Sequence, residues 1–128
     1  MMNSWIFIII VLVLVLGWVA WNYFRVRRAA KFIGNAEFEE LIHGAQLVDI
    51  REPAAFRSKH ILGARNLPAV QFQTSLSALR KDKPILLYDA SRSSALPRVL
   101  TMLKKAGYTD LYVLQDGFDY WTGKTKGN

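Results

Sequence analysis

Cysteine is missing from all 128 residues. Its absence excludes disulfides, thiolate metal sites and any mechanism that uses the protein's own sulfur. Histidine is scarce: the two present, His43 and His60, share no acidic or thiol cluster with metal-ligand spacing. No metal and no cofactor is therefore expected. Repeats and low-complexity segments are also lacking. Acidic residues are few, 10 against 17 Lys and Arg, for a net charge of +7. Such a surplus could serve nucleic acid, but its placement argues for another partner. Arg25, Arg27, Arg28 and Lys31 crowd behind an apolar run, and Lys124 and Lys126 lie near the end. A basic cluster beside a hydrophobic segment belongs to membrane topology and anionic headgroups. Nucleic acid is not an expected partner.

That apolar run, "WIFIIIVLVLVLGWVAWNYF" from Trp5 to Phe24, carries no charge. A helix of about 20 residues rises about 30 Å, the thickness of a bilayer's hydrocarbon core. Trp5 marks one end and Trp18, Trp21 and Tyr23 the other, as interfacial aromatic belts do. A cleaved signal peptide would need a basic stretch before the core and a small-residue cleavage site after it. Neither is present, so residues 1–24 are expected to be a transmembrane anchor with the bilayer as its partner. The basic cluster follows the span, which places the N-terminus outside and the remainder in the cytoplasm. A reducing cytoplasm is compatible with a chain free of cysteine. The expected organisation continues with a basic juxtamembrane linker over residues 25–34, a soluble domain over 35–122 and a basic tail over 123–128.

The soluble part alternates between two periodicities. "AEFEELIHGA" spaces Phe38, Leu41 and Ile42 as a helix does, with Gly44 as its stop. "QLVDI" is a short buried strand, and "EPAAF" a turn or single helical turn with Pro53 at its start. "ARNLP" is a second strand, and "VQFQTSLSALRK" a helix through Phe72, Leu76 and Leu79. "PILLYD" is the central strand. "SALPRVLTMLKKAG" is the strongest helix: Ser93 or Ser94 can cap it, Lys104 and Lys105 suit its C-terminal dipole, and Gly107 ends it. "LYVLQ" is the last strand. Strands separated by helices imply an α/β domain with a mostly parallel sheet covered on both faces.

Three segments, "LVDIREPAAFRSKHILGARNLP", "ILLYDASRSS" and "LKKAGYTDLYVLQDGFDYW", taken in this order resemble the rhodanese-like domain. That family carries an Asp-Val-Arg motif, a Gly-His-Ile-Pro-Gly-Ala motif, a strand delivering a cysteine into a loop before a helix, and a Gly-Gly-x-x-x-Trp motif. The resemblance covers about residues 33–122, and an anchor ahead of such a domain is a known bacterial arrangement. It implies a three-layer domain, a five-stranded parallel sheet flanked by helices, with sulfurtransferase ancestry. It also implies that Asp89 stands at the nucleophile position, where active relatives form a persulfide on a cysteine. Lys59, Leu62 and Gln115-Asp116-Gly117, the last in place of the Gly-Gly pair, depart from the family pattern in ways that suit a retained fold. The active-site-like loop would then be Asp89, Ala90, Ser91, Arg92, Ser93 and Ser94, and either Arg92 or Arg98 could face it. Asp49, Arg51 and His60 would lie beside it.

Three roles are open for Asp89. It can accept hydrogen bonds from loop amides near a positive helix end, as a carboxylate in a cap does. It can repel anionic substrates and so turn an anion site into one for cations or amides. It can act as a phosphate-accepting nucleophile, which would need Mg²⁺ and a second carboxylate, for which Asp49 is the candidate. Capping alone accounts for the residue type. His60 is expected to be a structural hydrogen-bonder, Arg51 to pair with Glu52 or Glu37, Trp121 to pack in the core and His43 to lie on the surface. The expectation is a membrane-anchored, non-catalytic binding or scaffolding module with a membrane or cytoplasmic protein partner. The alternative is an enzyme of cysteine-independent chemistry, such as phosphoryl transfer at Asp89.

Overall fold

The computed structural model describes residues 3–91 and 95–127, without the side chains of residues 25–29. Helix α1 (Ser4–Ala29) contains one stretch, Ser4–Phe24, long and apolar enough to cross a membrane, with none of it buried against the rest of the chain. Its apolar side chains point outward along the whole stretch, from Trp5 to Phe24.

Five strands form the main sheet in the order β1-β6-β5-β2-β4, every neighbouring pair parallel. They are β1 (Lys31–Ile33), β2 (Gln46–Asp49), β4 (Arg65–Asn66), β5 (Ile85–Tyr88) and β6 (Leu111–Leu114). Strand β5 is central because all four of its residues are buried, and only a strand covered on both faces can be apolar throughout. Its period of two sorts them: Ile85 and Leu87 join one core layer, Leu86 and Tyr88 the other. The first layer holds Val48, Phe72, Val99, Leu100 and Leu103, beneath helices α4 (Phe72–Ser75) and α5 (Ala95–Lys105). The second holds Phe38 of α2 (Asn35–Leu41), with Leu47, Ile61 and the edge of Trp121. Helix α5 ends in a Schellman motif: Gly107, at φ +96°, gives its N–H to Lys104 O, and Tyr108 gives its own to Leu103 O.

Three expectations need correction. Residues 25–34 are not a linker, because α1 runs to Ala29 and Lys31–Ile33 pair with Tyr112–Leu114 as an edge strand. The domain does not stop at residue 122 before a basic tail, because β7 (Thr125–Lys126) pairs antiparallel with β3 (His60–Ile61). The stretch from Val70 to Lys81 is not one helix. It breaks into a 3-10 turn, the single turn of α4 and another 3-10 turn. Thr74 and Ser75 hydroxyls both donate to Gln71 O, the kind of local bond by which such side chains compete with a regular helix.

Candidate functional site

Strands β2 and β5 run side by side, and their register pairs Asp49 with Tyr88. The two segments that follow therefore emerge together at the C-terminal edge of the sheet, where open α/β proteins place their ligands.

At the end of β2, Asp49 is fully buried. The chain turns back so that Arg51 meets it: Nε lies 3.0 Å from both Asp49 oxygens, Nη2 lies 2.7 Å from Oδ2, and the Arg51 backbone N–H donates to Oδ1 at 2.8 Å. Arg51 Nη2 also donates to Lys59 O at 2.6 Å. The expected pairing of Arg51 with Glu52 or Glu37 is replaced by this one, which needs only a two-residue reach. Burial pulls the Arg51 guanidinium toward neutrality, but hydrogen bonds and charge from Asp49 outweigh it and hold its pKa above the usual arginine value. Asn66, on neighbouring β4, donates to the carbonyls of Asp49 and Arg51 and fixes the turn between them.

Aromatic rings enclose this ion pair. The guanidinium lies 4.1 Å from the centre of the Phe118 ring and 5.7 Å from that of Tyr88. The Tyr88 hydroxyl accepts the Ile61 N–H at 3.1 Å, tying β3 to the central strand. Burial, and then the Asp49 charge, push the Tyr88 phenol well above its ordinary value and keep it protonated.

At the end of β5, Asp89 is half-buried, and its Oδ1 accepts the Ala90 N–H at 2.7 Å. The loop is clamped from beneath: Phe118 N–H donates to Asp89 O and Asp119 N–H to Ala90 O, both at 2.8 Å. Gly117 makes the clamp possible. It has φ +80°, and a β-carbon there would collide with Ala90 O and the Ser91 backbone. An open cavity of about 400 Å³ lies against the loop, lined by Ser91, Gln115, Asp116 and Tyr120.

Of the expected site residues, Asp49 and Arg51 are thus joined below, while Asp89, Ala90 and Ser91 form the visible start of the loop. Arg92, Ser93 and Ser94 lie outside the described residues. Arg98 sits elsewhere, on α5 beside Thr101 and Lys105. His60 is turned to the preceding helix α3 (Pro53–Ser58): Nδ1–H donates to Phe56 O at 2.7 Å, and the ring stacks on Phe56 at 3.8 Å. His43 is exposed, and Trp121 packs edge-on to Phe38. Tyr88, Phe118 and Asn66 are not among the residues to which the sequence assigns a role at the site. Tyr88 carried a usable signal, being a polar-tipped ring closing an otherwise aliphatic strand, where a buried hydroxyl must find a partner.

A five-stranded parallel sheet that presents a clamped loop at the end of its central strand, above a buried ion pair, defines a small single-loop α/β domain. The family model described as "Rhodanese-like domain" matches residues 34–124, and the chain belongs to that family. It is 38% identical over 125 residues to the uncharacterized protein YqhL of Bacillus subtilis, covering 98% of each chain. It is 30% identical over 79 residues to the thiosulfate sulfurtransferase GlpE of Pseudomonas aeruginosa, covering 62% of this chain and 71% of that one. Among solved structures, the BH2092 protein of Bacillus halodurans superimposes with a TM-score of 0.68 at 20% identity, covering 84% of each chain. The rhodanese-like domain of the Alr3790 protein from Anabaena sp. does so at 0.66 and 21%, covering 76% of this chain and 79% of that one.

Proposed function

We propose that this protein is a membrane-anchored rhodanese-like module that no longer transfers sulfur and serves as a binding or scaffolding unit at the cytoplasmic face. One observation carries the reading: a chain without cysteine keeps a clamped loop at the end of β5, and that loop holds Asp89, whose carboxylate takes a backbone amide. In this reading Asp89 occupies the nucleophile position. A carboxylate satisfies amide donors that would serve a thiolate, but it cannot carry sulfane sulfur. The Ser4–Phe24 stretch supplies the anchor, and the basic residues behind it orient the domain inward. Confinement to the bilayer raises the effective concentration toward membrane partners, so a weak contact suffices. The cysteine-independent alternative, phosphoryl transfer at Asp89, draws no support from Asp49, whose oxygens are both committed to Arg51.

The detergent-solubilised full chain, given thiosulfate and cyanide, is expected to form no thiocyanate above the blank, whereas Asp89→Cys gains slow transfer. Turnover by the unmodified chain would end the non-catalytic reading. A reporter fused to the C-terminus is expected to be active in the cytoplasm only.

A further inference from the structure

The helices on the two faces of the sheet carry opposite charge. On α2, Glu37, Glu39 and Glu40 are exposed, and among the described residues none has a cation within ion-pair distance. Glu39 shares a small pocket with His43 and Lys124, which leaves Glu37 and Glu40, about one turn apart, as the free acids. On α5, Arg98 and Lys105 are exposed, and among the described residues neither has a carboxylate within that distance. They stand about 10 Å apart along the helix axis and line an open cavity of about 510 Å³ with Gln73, Met102 and Ala106. The Thr101 hydroxyl at this groove is committed to Pro97 O, so the two cations are its charged groups.

Phe38 of α2 lies in one core layer and Leu100 and Leu103 of α5 in the other, so the two charged surfaces cover opposite faces of one sheet. Each helix links the end of one parallel strand to the start of the next, α2 from β1 to β2 and α5 from β5 to β6. Both therefore run from the loop edge of the sheet back to the edge where α1 enters β1. Glu37 is the third residue of α2 and Arg98 the fourth of α5, so each stands about one turn from the loop edge. Copies anchored in one membrane are all held at the α1 edge. A two-fold axis along the bilayer normal would set α5 against α5 or α2 against α2, like charge to like charge. A sideways translation instead lays α2 of one copy along α5 of the next, acid to cation.

We propose that the α5 groove seats the α2 face of a second copy of this chain, so that anchored domains associate head to tail along the bilayer; this rests on the anchor reading given above. Glu37 meets Arg98 near the loop edge, and Glu40 lies nearer Lys105. Contact between two short helical faces is weak alone, and confinement to one bilayer supplies the effective concentration it needs. Being heterologous, the contact leaves a free α2 face at one end and a free groove at the other, so a row can grow. The Asp89 loops repeat along its outer rim, which multiplies the valency offered to a soluble partner.

The lack of native cysteine makes disulfide cross-linking a direct test. Two differently tagged full-length variants, Ala36→Cys on the exposed side of α2 and Gln73→Cys at the groove, are reconstituted together in vesicles at low protein density and gently oxidised. The mixed-tag dimer is expected to exceed either same-tag dimer severalfold. Same-tag bands of equal strength mean a two-fold or random contact and overturn the proposal. Arg98→Glu in the Gln73→Cys partner is expected to cut the mixed band severalfold, and Glu37→Arg in the Ala36→Cys partner to restore it. An exchange that restores nothing overturns the charge pairing. No mixed band at all overturns the second-copy assignment and leaves the groove to an acidic segment of another protein. Flotation of the vesicles separates the two readings. A chain that floats without a mixed band sinks only the row, whereas one that fails to float sinks the anchor as well.

Discussion

Aspartates terminate two neighbouring strands, Asp49 at the end of β2 and Asp89 just beyond Tyr88 on β5, yet their surroundings differ in kind. Asp49 has no exposed surface and is met on both oxygens by Arg51, with aromatic rings closing over the pair. Asp89 is half-exposed, and the contact that its carboxylate makes among the described residues is the amide of the next residue. A strand-end carboxylate is thus not one kind of feature. Where burial is complete, a cation two residues on makes the charge part of the framework. Where water reaches it, a backbone amide suffices, and the same amide would serve any anion placed there.

The difference is broken most severely by removing the cation. Arg51→Met leaves the Asp49 carboxylate buried and unpaired, and chemical denaturation of the full chain should register a loss of about 3–5 kcal/mol. The double variant Asp49→Asn, Arg51→Met should recover much of it, because no uncompensated charge then remains. A fully additive double variant would show that the pair is not the unit described here.

Tyr88 sharpens the comparison at a smaller scale. Tyr88→Phe strands the Ile61 N–H and should cost about 1–3 kcal/mol. The native phenol has its pKa raised on folding, so its stabilising contribution is intact below about pH 10, the ordinary tyrosine value. Above that pH the unfolded chain loses the proton first, and stability falls as pH climbs toward the folded value. The phenylalanine variant should be less stable at neutral pH and show a shallower alkaline decline. Parallel declines in both proteins would mean that Tyr88 does not carry the linkage.

Much of this was readable from residue patterns. The apolar runs at 46–50, 84–89 and 111–115 mark strands because parallel strands covered on both faces leave nothing for polar residues to do. Gly107 marks the end of α5 because a left-handed cap favours glycine. Strand β1 escaped notice for a physical reason. Three residues carry no readable period, and Lys31-Phe32-Ile33 become a strand only because β6 offers an unpaired edge. The pairing of β7 with β3 is hidden in the same way. At the site, Asp49 and Arg51 were visible as neighbours of the loop. Their mutual bond was not, since nothing in the local sequence distinguishes a two-residue return from a reach to Glu52 or Glu37. The clamp by Phe118 and Asp119 joins segments almost thirty positions apart, and only the fold brings them together.

The smallest expected effect is at Asp89 itself. Asp89→Ala removes an acceptor from the Ala90 N–H in a half-exposed loop that its main-chain bonds to Phe118 and Asp119 still hold, so the loss should be about 1 kcal/mol. Asp89→Asn keeps an oxygen acceptor at the same place and should stay within about 0.5 kcal/mol of the native chain. The order Ala below Asn, with both far less damaging than Arg51→Met, is what a locally satisfied carboxylate requires. An asparagine variant as damaged as the alanine one would mean that the negative charge, and not the acceptor, steadies this loop. Asp89 would then resemble its buried neighbour, with a cation to be sought close by.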